Sequence, residues 1–149
     1  MGSGTPTVTM QTYQAAGVVR AGGEGQLDAH GLKTEFDGTA GRLEALPGPA
    51  DMLSAALCAC ILKNVERFSR LLPFTYESAT VKVTAQREEP PPHIARMHYD
   101  LEITTDEPEA RLELLHRNLQ KFGTITNTLS KACEVTGTIR AVSQGAAAP

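Results

Sequence analysis

The side chains with the most chemistry to offer are three thiols, Cys58, Cys60 and Cys133. A thiol attacks a peroxide or a disulfide as its thiolate, so a reactive one needs access and a neighbouring positive charge. Cys58 and Cys60 sit two apart in a helical pattern, about 200° around the axis, so their Cβ vectors diverge and no bridge between them is expected. An odd number of cysteines argues against a secreted disulfide framework, and three reduced thiols suit a cytoplasmic protein. His30, His93, His98 and His116 show no metal-ligand spacing, so neither a metal nor another cofactor is expected. Gly22-Gly23-Glu24-Gly25 lacks the lysine and the following helix of a phosphate loop and reads as a turn.

The whole chain limits what such a thiol could serve. At 149 residues it is one domain by size. Its 14 Lys+Arg against 17 Asp+Glu give a net charge of −3 with no like-charge block, so no nucleic-acid partner is expected. Neither a membrane-length apolar run nor a leader pattern is present, so no membrane association is expected.

The elements that must position the thiols follow from periodicity. Residues 7–46 read as short antiparallel strands joined by glycine turns, including 17–21 and 32–36. Pro47-Gly48-Pro49 ends them, and Pro49 with Asp51 suits the first turn of a helix. From Met52 to Leu62 nearly every residue is apolar, which predicts a helix buried on all sides. Further on, Ile61, Val65, Phe68 and Leu72 keep helical spacing while Lys63, Glu66, Arg67 and Arg70 face away. Residues 78–88 and 94–105 alternate as a hairpin around Pro90-Pro91-Pro92. A second helix is expected from Asp106, with Glu109 completing a capping box and Gly123 just past its end. A short helix near Ile125–Lys131 and a strand at Val135–Val142 close the pattern. Strands and helices segregated in this order predict an α+β fold. The expected boundaries are a disordered or cloning-derived stretch over residues 1–7, one domain over 8–142 and a flexible tail over 143–149. A domain this small has little to wrap around an all-apolar helix, so a second subunit is the simplest cover, and a homodimer is expected.

The segment Gly48-Pro49-Ala50-Asp51-Met52-Leu53-Ser54-Ala55-Ala56-Leu57-Cys58-Ala59-Cys60 resembles the motif of the OsmC/Ohr family of hydroperoxide reductases. That motif runs from a proline and an acid through small apolar residues to Ala-Cys on a buried helix. The element order over about residues 8–142 is similar too, including Asn127-Thr128-Leu129 before the closing strand. The resemblance implies an OsmC-like fold in an intertwined dimer. It also places the peroxide-attacking thiol at Cys60 and the supporting carboxylate at Asp51, where the family usually has glutamate. The resolving cysteine falls in Gly123-Thr124-Ile125-Thr126, so Gly123 occupies its position and the thiol is absent, leaving Cys133 as the one substitute. Ohr-like members carry an arginine in a Gly-Gly-Arg segment. This chain has Gly22-Gly23-Glu24 instead, and Arg20 is the nearest cation, with Arg42 the other candidate.

From the residues alone, Cys60 has an inert alternative as a core cysteine, since an apolar helix works against the ionised form. Asp51 lies nine positions earlier, half a turn around and about 13 Å along the helix, so the two can share a site only if another chain closes the gap. The function expected is a thiol-dependent peroxidase for organic hydroperoxides in oxidative-stress defence, regenerated by an external dithiol. The alternative is a non-catalytic protein of the same fold that binds a small apolar ligand between subunits.

Overall fold

The computed structural model describes Gly4 and residues 6–143. Apart from Gly4, Pro6, Thr7 and Ser143, the expected terminal tails at 1–7 and 143–149 lie outside the described residues. The chain divides into two compact units, Met1–Pro49 and Ala50–Pro149.

The first unit is a three-stranded antiparallel meander of β1 (Ala16–Val19), β2 (Glu24–Ala29) and β3 (Leu32–Asp37), in that order across the sheet. Glycine turns connect the strands as the composition predicts, at Gly22-Gly23 and at His30-Gly31. Beyond β3 the chain wraps around one carboxylate. Asp37 accepts bonds from the Thr39 amide and hydroxyl and from the Leu43 amide. These donors, the Thr39 hydroxyl first, hold its pKa below the usual value.

The second unit starts with α1 (Pro49–Leu71) and continues through β4 (Ser78–Glu88), β5 (His93–Thr104), α2 (Glu109–Phe122), α3 (Thr124–Leu129) and β6 (Glu134–Val142). β4 and β5 form the expected antiparallel hairpin, with Val81 opposite Leu101 and Val83 opposite Tyr99. The closing strand β6 joins the other edge of β5 in parallel, pairing Gly137 with Tyr99 and Ile139 with Leu101. A parallel return needs a crossover, and α2 with α3 supplies it. One face of β5, with Met97, Tyr99, Leu101 and Ile103, closes a single buried cluster with Leu57, Ile61, Val65 and Phe68 of α1 and Leu112, Leu115 and Leu119 of α2. The Tyr99 ring lies over the β6 backbone, where a Cβ at Gly137 would come within 2.1 Å of it.

Three local expectations are revised. Burial of α1 within the chain is one-sided: Leu57, Cys60, Ile61, Asn64, Val65 and Phe68 are buried, while Ala55 and Ala59 are exposed and Met52, Leu53 and Ala56 only partly covered. The second helix begins at Glu109 after Pro108, and not at Asp106 in a capping box. Instead the Thr105 hydroxyl accepts from the Glu107 amide at 3.0 Å and donates to the Thr75 carbonyl at 2.6 Å, so the chain ahead of the helix is anchored to another loop. Phe122, expected in the buried stripe, is 45% exposed. Arg111 fastens α2 to the end of α1 by donating to the carbonyls of Leu72 and Pro73.

Candidate functional site

Cys60 projects from the buried face of α1, on the same side as Leu57, Ile61 and Asn64, and its side chain is only 9% exposed. Across from it stands Gly123, the single residue between α2 and α3. A Cβ placed on Gly123 would lie 3.2 Å from the Cys60 Sγ and 2.9 Å from the Thr126 Oγ1. The sulfur and the hydroxyl are therefore no more than about 6 Å apart, and both border the space a side chain at 123 would take. Gly123 has φ −73° and ψ 125°, an extended conformation open to any residue, so it does not end α2 as a left-handed cap. What glycine provides here is room.

A fourth residue completes the arrangement. Asn64, one turn after Cys60, donates from Nδ2 to the Cys60 carbonyl at 2.8 Å and to the Cys60 Sγ at 3.6 Å. It is 8% exposed, and Thr126 6%. Neither residue was singled out from the sequence. Asn64 left a signal, being the one polar residue in the stripe Leu57–Ile61–Val65–Phe68 and four positions from the thiol. Thr126 left none, since its relation to Cys60 runs between distant parts of the chain.

The other expected residues are described within their own elements. Asp51 is exposed in the first turn of α1, and because α1 is continuous from Pro49 to Leu71 the helical separation from Cys60, about 13 Å, stands. Cys133 lies between α3 and β6, partly buried against the core, with its amide donating to the Leu129 carbonyl at 2.9 Å. All three cysteines are free thiols. Arg20 belongs to the first unit, where it opens the β1–β2 turn. Its amide donates to the Glu24 carbonyl at 2.8 Å, and its carbonyl accepts from the Gly23 amide at 2.9 Å. Arg42 pairs loosely with Glu44 at 4.0 Å on the surface of the same unit. Among the described residues no charged side chain bonds to the Cys60 sulfur, and no group of side chains has the makings of a metal site.

A part-buried polar pair links α2 to β5. The Tyr99 hydroxyl and the His116 Nε2 are 2.7 Å apart, with the rings edge to face. Burial pushes the Tyr99 hydroxyl up and the His116 imidazole down from their ordinary pKa values.

A buried helix presenting a thiol to a glycine at a helix junction, beside a hairpin extended by a parallel strand, defines a class of α+β thiol proteins. The family model for OsmC-like proteins matches residues 41–137 of this chain, and the chain belongs to that family. No curated protein matches it in sequence. Among solved structures, an OsmC-like protein from Mycoplasma pneumoniae shares the fold with a TM-score of 0.82 at 17% identity, over 90% of this chain and 99% of that one. An organic hydroperoxide resistance protein from Legionella pneumophila superposes with a TM-score of 0.70 at 15% identity, covering 89% and 100% of the two chains. The organic hydroperoxide resistance protein OhrB of Bacillus subtilis gives 0.65 at 15% identity, covering 85% and 98%. No helix among the described residues is long and apolar enough to cross a membrane.

Proposed function

We propose that the protein is a Cys60-dependent peroxidase that reduces organic hydroperoxides at the expense of an external thiol or dithiol, as a homodimer in the cytoplasm, in defence against oxidative stress. The observation that supports this reading is the approach of Gly123 to Cys60, since a Cβ there would lie 3.2 Å from the sulfur and the family resemblance assigns these two positions to the resolving and attacking thiols. Some proteins of this fold are named for organic hydroperoxide resistance, which supports the substrate class.

The cycle uses one protein sulfur. The Cys60 thiolate attacks one peroxide oxygen, the O–O bond breaks, and the other oxygen leaves with a proton as the alcohol. Cys60 is then a sulfenic acid. A first external thiol attacks that sulfur and water departs, leaving a mixed disulfide. A second thiol takes the first away as its own disulfide and returns Cys60 as a thiol. In this reading Asp51 and Arg20 take the roles of supporting carboxylate and cation that the family resemblance assigns them, and Cys133 is not required.

Gly123 also favours a second reading, a non-catalytic member of the fold that holds a small apolar ligand between subunits, since no internal thiol can close the cycle there. Trapping with dimedone after one equivalent of cumene hydroperoxide separates the two. The peroxidase reading expects a stoichiometric adduct on Cys60, steady-state peroxide consumption with a dihydrolipoyl donor, and loss of both in Cys60→Ser. Cys133→Ser should change turnover less than about tenfold, roughly 1.4 kcal/mol in barrier. Absence of both adduct and turnover in the wild type would leave ligand binding in front, and equal collapse of the two mutants would make Cys133 a resolving thiol.

A further inference from the structure

Asn64 is an awkward residue to bury on an apolar helix face. A buried amide must satisfy its donors, and each one left unmade costs free energy. Asn64 Nδ2 donates to two acceptors of a single residue, the carbonyl and the sulfur of Cys60. The 2.8 Å bond to the carbonyl fixes which end of the amide faces Cys60, since an oxygen turned towards that carbonyl would repel it. With the rotamer set, the same nitrogen stays 3.6 Å from the sulfur, within reach of a bond from its second N–H. A donor held in place before the thiol ionises stabilises the thiolate more than the thiol, because hydrogen bonds to charged groups are the stronger ones.

We propose that Asn64 is a positioning residue that favours the Cys60 thiolate by a preset N–H···S hydrogen bond, taking over at this site part of the role that a cation would have. This deepens the peroxidase reading and rests on Cys60 reacting as a thiolate. Asn64 on α1 bonds to the sulfur and Gly123 at the α2–α3 junction lies beside it with Thr126 next to that glycine, and none of the three titrates. The nearby charges of α1, Lys63, Glu66 and Arg67, are exposed, and the Lys121 ammonium of α2 sits over the Phe122 ring.

The test uses Cys58→Ser/Cys133→Ser protein, so that Cys60 is the one thiol, and follows its alkylation by iodoacetamide against pH. Asn64→Thr is the informative variant. A threonine hydroxyl can still donate to the carbonyl four residues back, but its single hydrogen cannot serve the sulfur as well. The midpoint of the alkylation profile should rise by about one pH unit, a roughly tenfold fall in rate below both midpoints. A folded Asn64→Thr protein with an unmoved midpoint would overturn the proposal, because a purely structural amide is replaced by that hydroxyl. A second measurement needs no change at residue 64. In the parent protein the Asn64 side-chain NH2 resonances should titrate with the Cys60 midpoint and stop doing so in Cys60→Ser. Resonances that stay still across the pH range would equally overturn it. Failure of the peroxidase reading looks different: no hydroperoxide turnover, with the Asn64–Cys60 coupling intact.

Discussion

At the scale of single residues, Gly123 is where a small change says most. A Cβ there stands 3.2 Å from the Cys60 sulfur. Across a disulfide that distance is about 3 Å, given an S–S bond of about 2.05 Å. Gly123→Cys should therefore form a disulfide between Cys60 and the introduced thiol on mild oxidation, detected by mass spectrometry of non-reduced peptides. A thiol at 123 that stays free under conditions oxidising accessible cysteines would show that the residue does not face Cys60 in solution. Gly123→Ala offers no bond in return. Its methyl would press on Thr126 Oγ1 at 2.9 Å, and overpacking of this kind costs about 1–3 kcal/mol in thermal or urea unfolding. The sequence shows that position 123 lacks the thiol. It does not show that the glycine leaves a gap beside Cys60, because that depends on two segments more than sixty positions apart.

At the scale of elements, the packing of α2 on β5 carries a pH dependence. Burial beside Tyr99 lowers the His116 pKa from its ordinary 6.5 and so disfavours the charged imidazolium. Below that value the unfolded chain binds a proton that the folded one resists. Stability thus rises with pH through this window and falls on acidification below about pH 6.5. The carboxylates with lowered pKa, Asp37, Glu66 and Asp100, act in a more acid range. Between pH 7.5 and 5.5 the wild type should lose Tm, and His116→Gln should flatten that slope. Parallel slopes would remove His116 as the cause. The position of α2 in the sequence was legible from Leu112, Leu115 and Leu119. Its start was not, because Asp106 and Glu109 have the form of a capping box, whereas the chain there is tied down by Thr105 across to Thr75. A tertiary hydrogen bond outweighed a local pattern.

At the scale of the molecule, the one-sided burial of α1 has a consequence for assembly. Met52, Leu53, Ala55, Ala56 and Ala59 are among the apolar residues that one chain leaves exposed or partly covered on the helix that holds Cys60, and they cluster in its first half. A partner subunit covering them should make the protein a homodimer, with a mass near twice 15.9 kDa by light scattering at micromolar concentration. Ala55→Glu/Ala59→Glu should shift it towards the monomer. A stable wild-type monomer would remove the dimer and with it the sharing of Asp51 between subunits. The sequence by itself determined the α+β order, the apolar stripe of α1 from Ile61 onward, the hairpin of 78–88 with 94–105, and Cys60 as the thiol with a motif around it. Each of those rests on short-range periodicity, where residues a few positions apart must share a face. Only the tertiary structure decided that Gly123 and Asn64 lie beside that sulfur, with Thr126 next to the glycine, and that β6 pairs in parallel with β5. It also decided that Tyr99 lies over Gly137. These depend on how distant segments pack, and packing selects partners by shape and unmet hydrogen bonds that no local pattern records.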